Sequence, residues 1–151
     1  MSRLMLDTNV FNDIVKNNLS IDLLQKHEVF GTHIQLDEIG RTKDEALRLK
    51  LNDVFLALVE AKIATSSLVW DVSRWDESSW SDGKKFNQML RRLTELDKNK
   101  AINSKTPNQI NDVLIAETAI NNDLILVTND ANLTHVTREF GGATVRTSNL
   151  T

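Results

Sequence analysis

Four acidic residues stand where a fold could gather them for chemistry. Asp7 ends the apolar run Leu4-Met5-Leu6, and Glu38 follows the stretch Val29 to Ile34. Asp112 opens an apolar helical pattern, and Asp130 lies just past the run Leu124 to Val127. Three of them thus follow expected strands, and one opens a helix beside them. Open parallel sheets bind ligands at the carboxyl ends of their strands, so these acids are expected to converge on one edge. Carboxylates held within a few ångströms repel, and such a group persists when a divalent cation neutralises it. All-oxygen donors select Mg²⁺ or Mn²⁺ over zinc. Such ions activate water and stabilise the attacking and leaving oxygens of an in-line phosphodiester displacement.

The elements that must position these acids are legible in outline. Residues 111–132 read as helix, tight turn, buried strand and acidic loop. On the helix, Asp112 shares a face with Ile115, Ala116 and Ala119, because residues three, four and seven apart line up. A carboxylate on that core-directed face is costly unless it is paired. Leu124 to Val127 shows no polar alternation, which suits a parallel strand covered on both faces. At the other end of the chain, Leu4-Met5-Leu6 followed by Asp7-Thr8-Asn9 repeats the design, although Asp7 could simply cap the helix of Val10, Phe11, Ile14 and Val15.

Between these two regions a short helix is expected over Ser20 to His27, a strand over Val29 to Ile34, and a long amphipathic helix over Lys43 to Lys62. Asp82-Gly83 caps a further helix with Phe86, Met89, Leu90, Leu93 and Leu96 on one face. Its opposite face carries Lys84, Lys85, Arg91, Arg92 and Lys98. From 84 to 105 there are seven Lys/Arg against the two acids Glu95 and Asp97. That face is either solvated surface or a track for a phosphate backbone, with Lys84, Lys85, Arg91 and Arg92 as its candidate contacts. Trp70, Trp75 and Trp80 are all the tryptophans in the chain and suit core, a lid or a partner groove. Pro107 helps to start the helix of Asp112. Leu133 to Phe140 form a helix closed by Gly141-Gly142, and Ala143 to Thr147 a last strand.

Composition narrows the class. The 151 residues suit one domain. There is no cysteine, which excludes disulfides and thiolate metal sites and fits a reducing, cytoplasmic setting. The start of the chain has no apolar stretch of signal-peptide length, and no run approaches a membrane span. A net charge of -3 gives no global argument for nucleic acid, so any such argument must be local. His27, His33 and His135 have no spacing for a metal site or a triad and read as structural.

The sequence resembles the PIN domain family. Leu6-Asp7-Thr8-Asn9, Asp37-Glu38-Ile39-Gly40, Asp112-Val113-Leu114-Ile115-Ala116 and Thr128-Asn129-Asp130-Ala131-Asn132 occur in the family's order from residue 4 to about 147. The size is similar to that of the VapC-type toxins of toxin-antitoxin pairs. The resemblance implies one α/β domain over 1–151, with three layers and a central parallel sheet of four to five strands flanked by helices. It implies an Mg²⁺- or Mn²⁺-dependent endoribonuclease with Asp7, Glu38, Asp112 and Asp130 as catalytic and metal-binding residues. Thr8, Asn9, Thr128 and Asn132 would be its supporting polar groups. The family often has an acid where this chain has Asn132, whose amide can ligate but brings no charge. RNA substrate, a cognate antitoxin and a homodimer are the implied partners.

Several alternatives remain open in the sequence. Asp37 competes with Glu38, since a one-residue error in helix phase would exchange them, and Glu38 is preferred. Glu45 and Glu117 are candidate outer members of the cluster. A PIN-fold module that binds RNA or protein with little catalysis, and a housekeeping PIN nuclease without an antitoxin, are the competing functions.

Overall fold

A computed structural model describes residues 2–65, 83–98 and 106–151, with side chains in the last segment from 109 onward. The stretch 67–73, which by its sequence suits a strand or an extended connection, the three tryptophans, and Lys100 and Lys105 lie outside these residues.

The chain begins with β1 (Arg3–Leu6), α1 (Thr8–Val15), α2 (Ile21–Gln25) and β2 (Glu28–Gly31), followed by α3 (His33–Gly40), α4 (Glu45–Leu58) and β3 (Val59–Lys62). It continues through α5 (Lys84–Asp97), α6 (Thr106–Asn121), β4 (Ile125–Val127), α7 (Ala131–Glu139) and β5 (Ala143–Val145). The sheet has the order β3-β2-β1-β4-β5, and every pairing is parallel. The chain therefore builds outward from β1 to β3, then returns to the other side of β1 and builds outward again. The order reverses between β1 and β4, and a crevice opens there at the carboxyl ends of the strands.

Side-chain alternation along β1 separates the layers, since successive residues point to opposite faces. Leu4 and Leu6 pack with Val10, Phe11, Leu24, Leu51 and Phe55, contributed largely by α1, α2 and α4. Met5 faces the other way, among Met89, Leu93, Leu114, Ile115 and Leu133 of α5, α6 and α7. The result is the expected three-layer arrangement around a five-stranded sheet. Val113 to Ala116 are all fully buried, so α6 is an interior helix with no wet stripe along that stretch.

Two sequence expectations are corrected. The helix expected over 43–62 ends at Leu58, and residues 59–62 are β3. Only Val59 of β3 is partly covered, so the strand shows no apolar alternation; what selects it is the open edge of β2, which supplies its hydrogen bonds. The strand expected over 29–34 stops at Gly31. Thr32 starts α3 with a capping box, its hydroxyl accepting from Ile34 N–H while Gln35 Oε1 accepts from Thr32 N–H at 2.9 Å. Asp37 and Glu38 consequently sit within a helix and not on a loop after a strand. Among the described residues no helix is long and apolar enough to cross a membrane.

Candidate active site

The site starts from one register. Leu6 of β1 lies opposite Val127 of β4, and the next amide along, Asp7 N–H, bonds Val127 carbonyl at 3.0 Å. Asp7 and Thr128 therefore emerge side by side. Thr128 Oγ1 donates to Asp7 Oδ2 at 2.9 Å and accepts from Asp130 N–H at 3.1 Å, which fixes the path of the loop after β4. Asp130 caps α7 through Oδ1, which accepts from the backbone N–H groups of Asn132 at 2.9 Å and Leu133 at 3.1 Å. Asp7 occupies the N-cap position of α1, but its carboxylate is turned to Thr128.

Helix α3 is pinned to the same edge. Gln35 Nε2 donates to Leu6 carbonyl at 3.0 Å, and Glu38, one turn later on the same face, accepts from Thr8 Oγ1 at 2.9 Å. This phase gives Glu38 the cluster-facing position. The largest like-charge influences on Asp112 come from Asp7, Glu38, Asp130 and Asp97. Asp97, at the last turn of α5, was not singled out from the sequence. Its Oδ2 accepts from Gln109 Nε2 at 2.8 Å and its Oδ1 from Asn132 Nδ2 at 2.7 Å. The only sequence signal was its place at the buried phase of α5, four residues after Leu93.

Burial and mutual repulsion govern the protonation of the group. Burial, joined by the charges of Asp7, Glu38, Asp130 and Asp97, pushes Asp112 up to about 9. Burial also raises Asp7; the Thr128 hydroxyl opposes this, and the Asp130 charge adds to it. Glu38 is raised by burial and by Asp7, against the Thr8 hydrogen bond and the Arg41 guanidinium.

An open cleft of about 440 Å³ exposes part of the group, lined by Asp7, Asn9, Asp13, Asn129, Asp130 and the apolar Val10 and Ala131. Asp13, one helical turn beyond Asn9, adds an acid that the sequence did not single out; its Oδ2 lies 3.4 Å from Asn129 Nδ2. Glu38, Asp112, Asp97 and Asn132 do not line this cleft. Glu45 is exposed at the start of α4, and Glu117 is buried in α6.

The basic face of α5 lies partly against its neighbours. Arg92 Nε bonds both oxygens of Glu139 at 3.0 and 3.2 Å, and its Nη1 reaches Glu95 at 3.3 Å. Lys85 Nζ donates to Asn121 at 2.8 Å, whereas Lys84 and Arg91 are exposed. The histidines are held in ordinary contacts: His27 Nδ1 accepts from Ser2 N–H at 3.0 Å, His33 is buried, and His135 lies beside Glu139.

The tertiary structure is similar to solved structures of toxin-antitoxin proteins. One is VapBC2 from Rickettsia felis bound to a DNA fragment from their promoter, with a TM-score of 0.54 at 19% identity over 95% of this chain and 98% of the matched one. The fold is a PIN-like α/β fold with an all-parallel five-stranded sheet flanked by helices. Likeness within this PIN-type fold extends to VapBC-1 from nontypeable Haemophilus influenzae, with a TM-score of 0.53 at 13% identity over 97% of this chain and 99% of that one. It also extends to PAE2754 from Pyrobaculum aerophilum, at 0.50 and 18% over 99% and 93%. No protein-family model and no curated protein matches the sequence. In the PIN-type sheet of this chain the acids occupy the reversal between β1 and β4.

As the side chains lie, and among the described residues, no three acids are gathered tightly enough to cage a metal ion. The chemistry of the donors nevertheless suits a hard cation. Carboxylates are its preferred ligands, the hydroxyl and amide oxygens of Thr8, Asn9 and Asn132 are close in the chain to them, and a bound cation would offset the burial and the repulsion that together raise Asp112.

Proposed function

We propose that the protein is a divalent-metal-dependent endoribonuclease acting in the cytoplasm as the toxin of a toxin-antitoxin pair. One observation carries the reading: Asp112, at the sheet reversal, is raised to about 9 by burial and by the neighbouring charges of Asp7, Glu38, Asp130 and Asp97. Groups displaced this far from their ordinary range are characteristic of functional sites.

Asp7, Glu38, Asp112 and Asp130 would hold Mg²⁺ or Mn²⁺. The bound ion would supply a water of lowered pKa and neutralise charge on the phosphoryl oxygens. The chain's own part is positional. Thr128 holds the Asp7 carboxylate at the end of β1, and Thr8 holds Glu38 toward it from α3. Asp130, tied to the first turn of α7, leaves its position only if that helix start moves. The cleft beside Asp7 and Asp130 would admit the scissile phosphodiester of an RNA strand. A nucleophilic water makes no use of the 2′-hydroxyl, so RNA preference would come from contacts outside the acids. The antitoxin partner is suggested by the VapBC structures that share the fold.

A second reading, a PIN-fold module that binds RNA or protein without cutting, is favoured by the neutral Asn132 and by the absence of a ready-made metal cage among the described residues. Mn²⁺ binding by calorimetry, paired with RNA cleavage, separates the two on wild type and Asp112→Asn. The nuclease reading expects binding and cleavage to vanish together in the variant. Wild-type protein that binds no metal would overturn it in favour of the binding module.

A further inference from the structure

A second cleft, of about 390 Å³, lies between α7 and β5 and shares Ala131 with the acidic one. Among the described residues its charged lining is cationic, Arg138 and Arg146, with Thr134, Thr144 and Asn149 around them and no carboxylate. In a chain of net charge -3, a cation-lined cleft adjoining an acid-lined one is a local asymmetry that suits an anionic ligand.

Arg138 is held against β5, and the backbone next to Arg146 is tied to the acidic cleft. Arg138 Nε donates to Thr144 Oγ1 at 2.7 Å and Nη2 to Thr144 carbonyl at 3.4 Å, which fixes the guanidinium against β5 and leaves further N–H groups to donate. Arg146 directly precedes Thr147, whose N–H and hydroxyl contact Asn129 Oδ1 at 3.1 and 3.2 Å. Asn129 in turn lines the acidic cleft. A fixed planar fork beside hydroxyl donors suits a phosphate group.

We propose that the Arg138/Arg146 cleft is a phosphodiester subsite for the single-stranded RNA leaving the acidic cleft, engaging the backbone beside the scissile phosphate. The proposal rests on the nuclease reading for the identity of its ligand. It moves the backbone track from α5, where Arg92 and Lys85 are engaged with Glu139 and Asn121, to the α7–β5 face.

The test uses the full chain and a short fluorescent oligouridylate in EDTA, with anisotropy followed across a salt series. Arg138→Gln combined with Arg146→Gln is expected to weaken binding roughly tenfold or more, and to reduce the log-log salt slope by about 1.4, at about 0.7 per single-strand phosphate contact. Lys84→Gln with Arg91→Gln removes the same charge from α5 and is expected to leave the slope unchanged. Arg146→Gln alone, at an exposed position past the strand, is expected to give about half the slope change and guards against a folding defect in the pair. An unaltered slope in the Arg138/Arg146 pair, an equal loss in the α5 pair, or no wild-type binding each overturns the subsite.

Cleavage in Mn²⁺ keeps the two readings apart. A raised KM at unchanged kcat in the Arg138/Arg146 pair supports the subsite, because binding shared by ground and transition states was removed. An unchanged KM overturns it and leaves the nuclease standing. RNA binding that needs both arginines, in a protein that cuts no RNA, supports the subsite and overturns the nuclease.

Discussion

Asn132 Nδ2 donates to Asp97 Oδ1 at 2.7 Å, joining the second position of α7 to the last turn of α5 across 35 residues of sequence. By the resemblance to the PIN family the amide stands at a position where an acid is often found, and its partner is itself a carboxylate. The local charge is kept by Asp97 while Asn132 serves as donor.

Replacing that donor by an acid tests the arrangement. Asn132→Asp would set two carboxylates in hydrogen-bonding contact, and without metal is expected to lose about 1–3 kcal/mol in urea unfolding. Mn²⁺ should recover most of the loss. Wild-type stability for the variant in EDTA would show that the pair is not tightly held.

The pH dependence of stability has a defined sign. Asp112 rises from 3.8 to about 9 in the fold, so between those values the folded protein keeps a proton that the unfolded chain has released. Stability therefore falls as pH rises through that window, and the raised Asp7 and Glu38 act in the same direction. Asp112→Asn, neutral throughout, should flatten the dependence in EDTA and raise Tm near pH 8 by about 3 °C or more. A parallel curve for the variant would count against the electrostatic reading of the cluster.

Thr128 is buried and serves both Asp7 and Asp130. Thr128→Val keeps the shape but strands the Asp130 N–H and one carboxylate oxygen. The expected loss is about 1–3 kcal/mol in urea unfolding, with at least a tenfold drop in Mn²⁺-dependent cleavage. Serine at 128 retains the hydroxyl and should restore most of both.

The turn before β5 is tightly packed. A Cβ on Gly142 would come within 2.7 Å of Ile120 Cγ1 and of Thr137 Cγ2, and 3.1 Å of Thr137 carbonyl. Gly142→Ala should cost about 1–3 kcal/mol by thermal unfolding, since the backbone of α7 cannot easily retreat. Gly141→Ala meets no such contact, but its φ of 92° lies in the left-handed region and carries its own smaller strain.

Much of the fold was legible because its signals are local. The apolar runs that end in Asp7 and in Thr128 to Asp130 are β1 and β4, and Ser20 and the buried face of α5 stand as their spacing implies. What misled was equally physical. Val59 to Lys62 continue a helical spacing, but an unpaired sheet edge lay within reach, and its hydrogen bonds outweighed that preference. Thr32 reads as a strand residue by β-branching, yet a glutamine three residues on converts it into a helix cap.

The sequence by itself determined most of the strands and helices and the acidic residue types at the strand ends, because these depend on neighbours a few positions away. Only the tertiary structure decided that β4 returns beside β1, that Glu38 and not Asp37 faces the cluster, that Asp97 joins Asp112, and that Arg138 and Arg146 line a cleft sharing Ala131 with the acidic one. Those relations join residues far apart in the chain, and they arise when a parallel sheet reverses its order and its flanking helices pack in the one phase that buries their apolar faces.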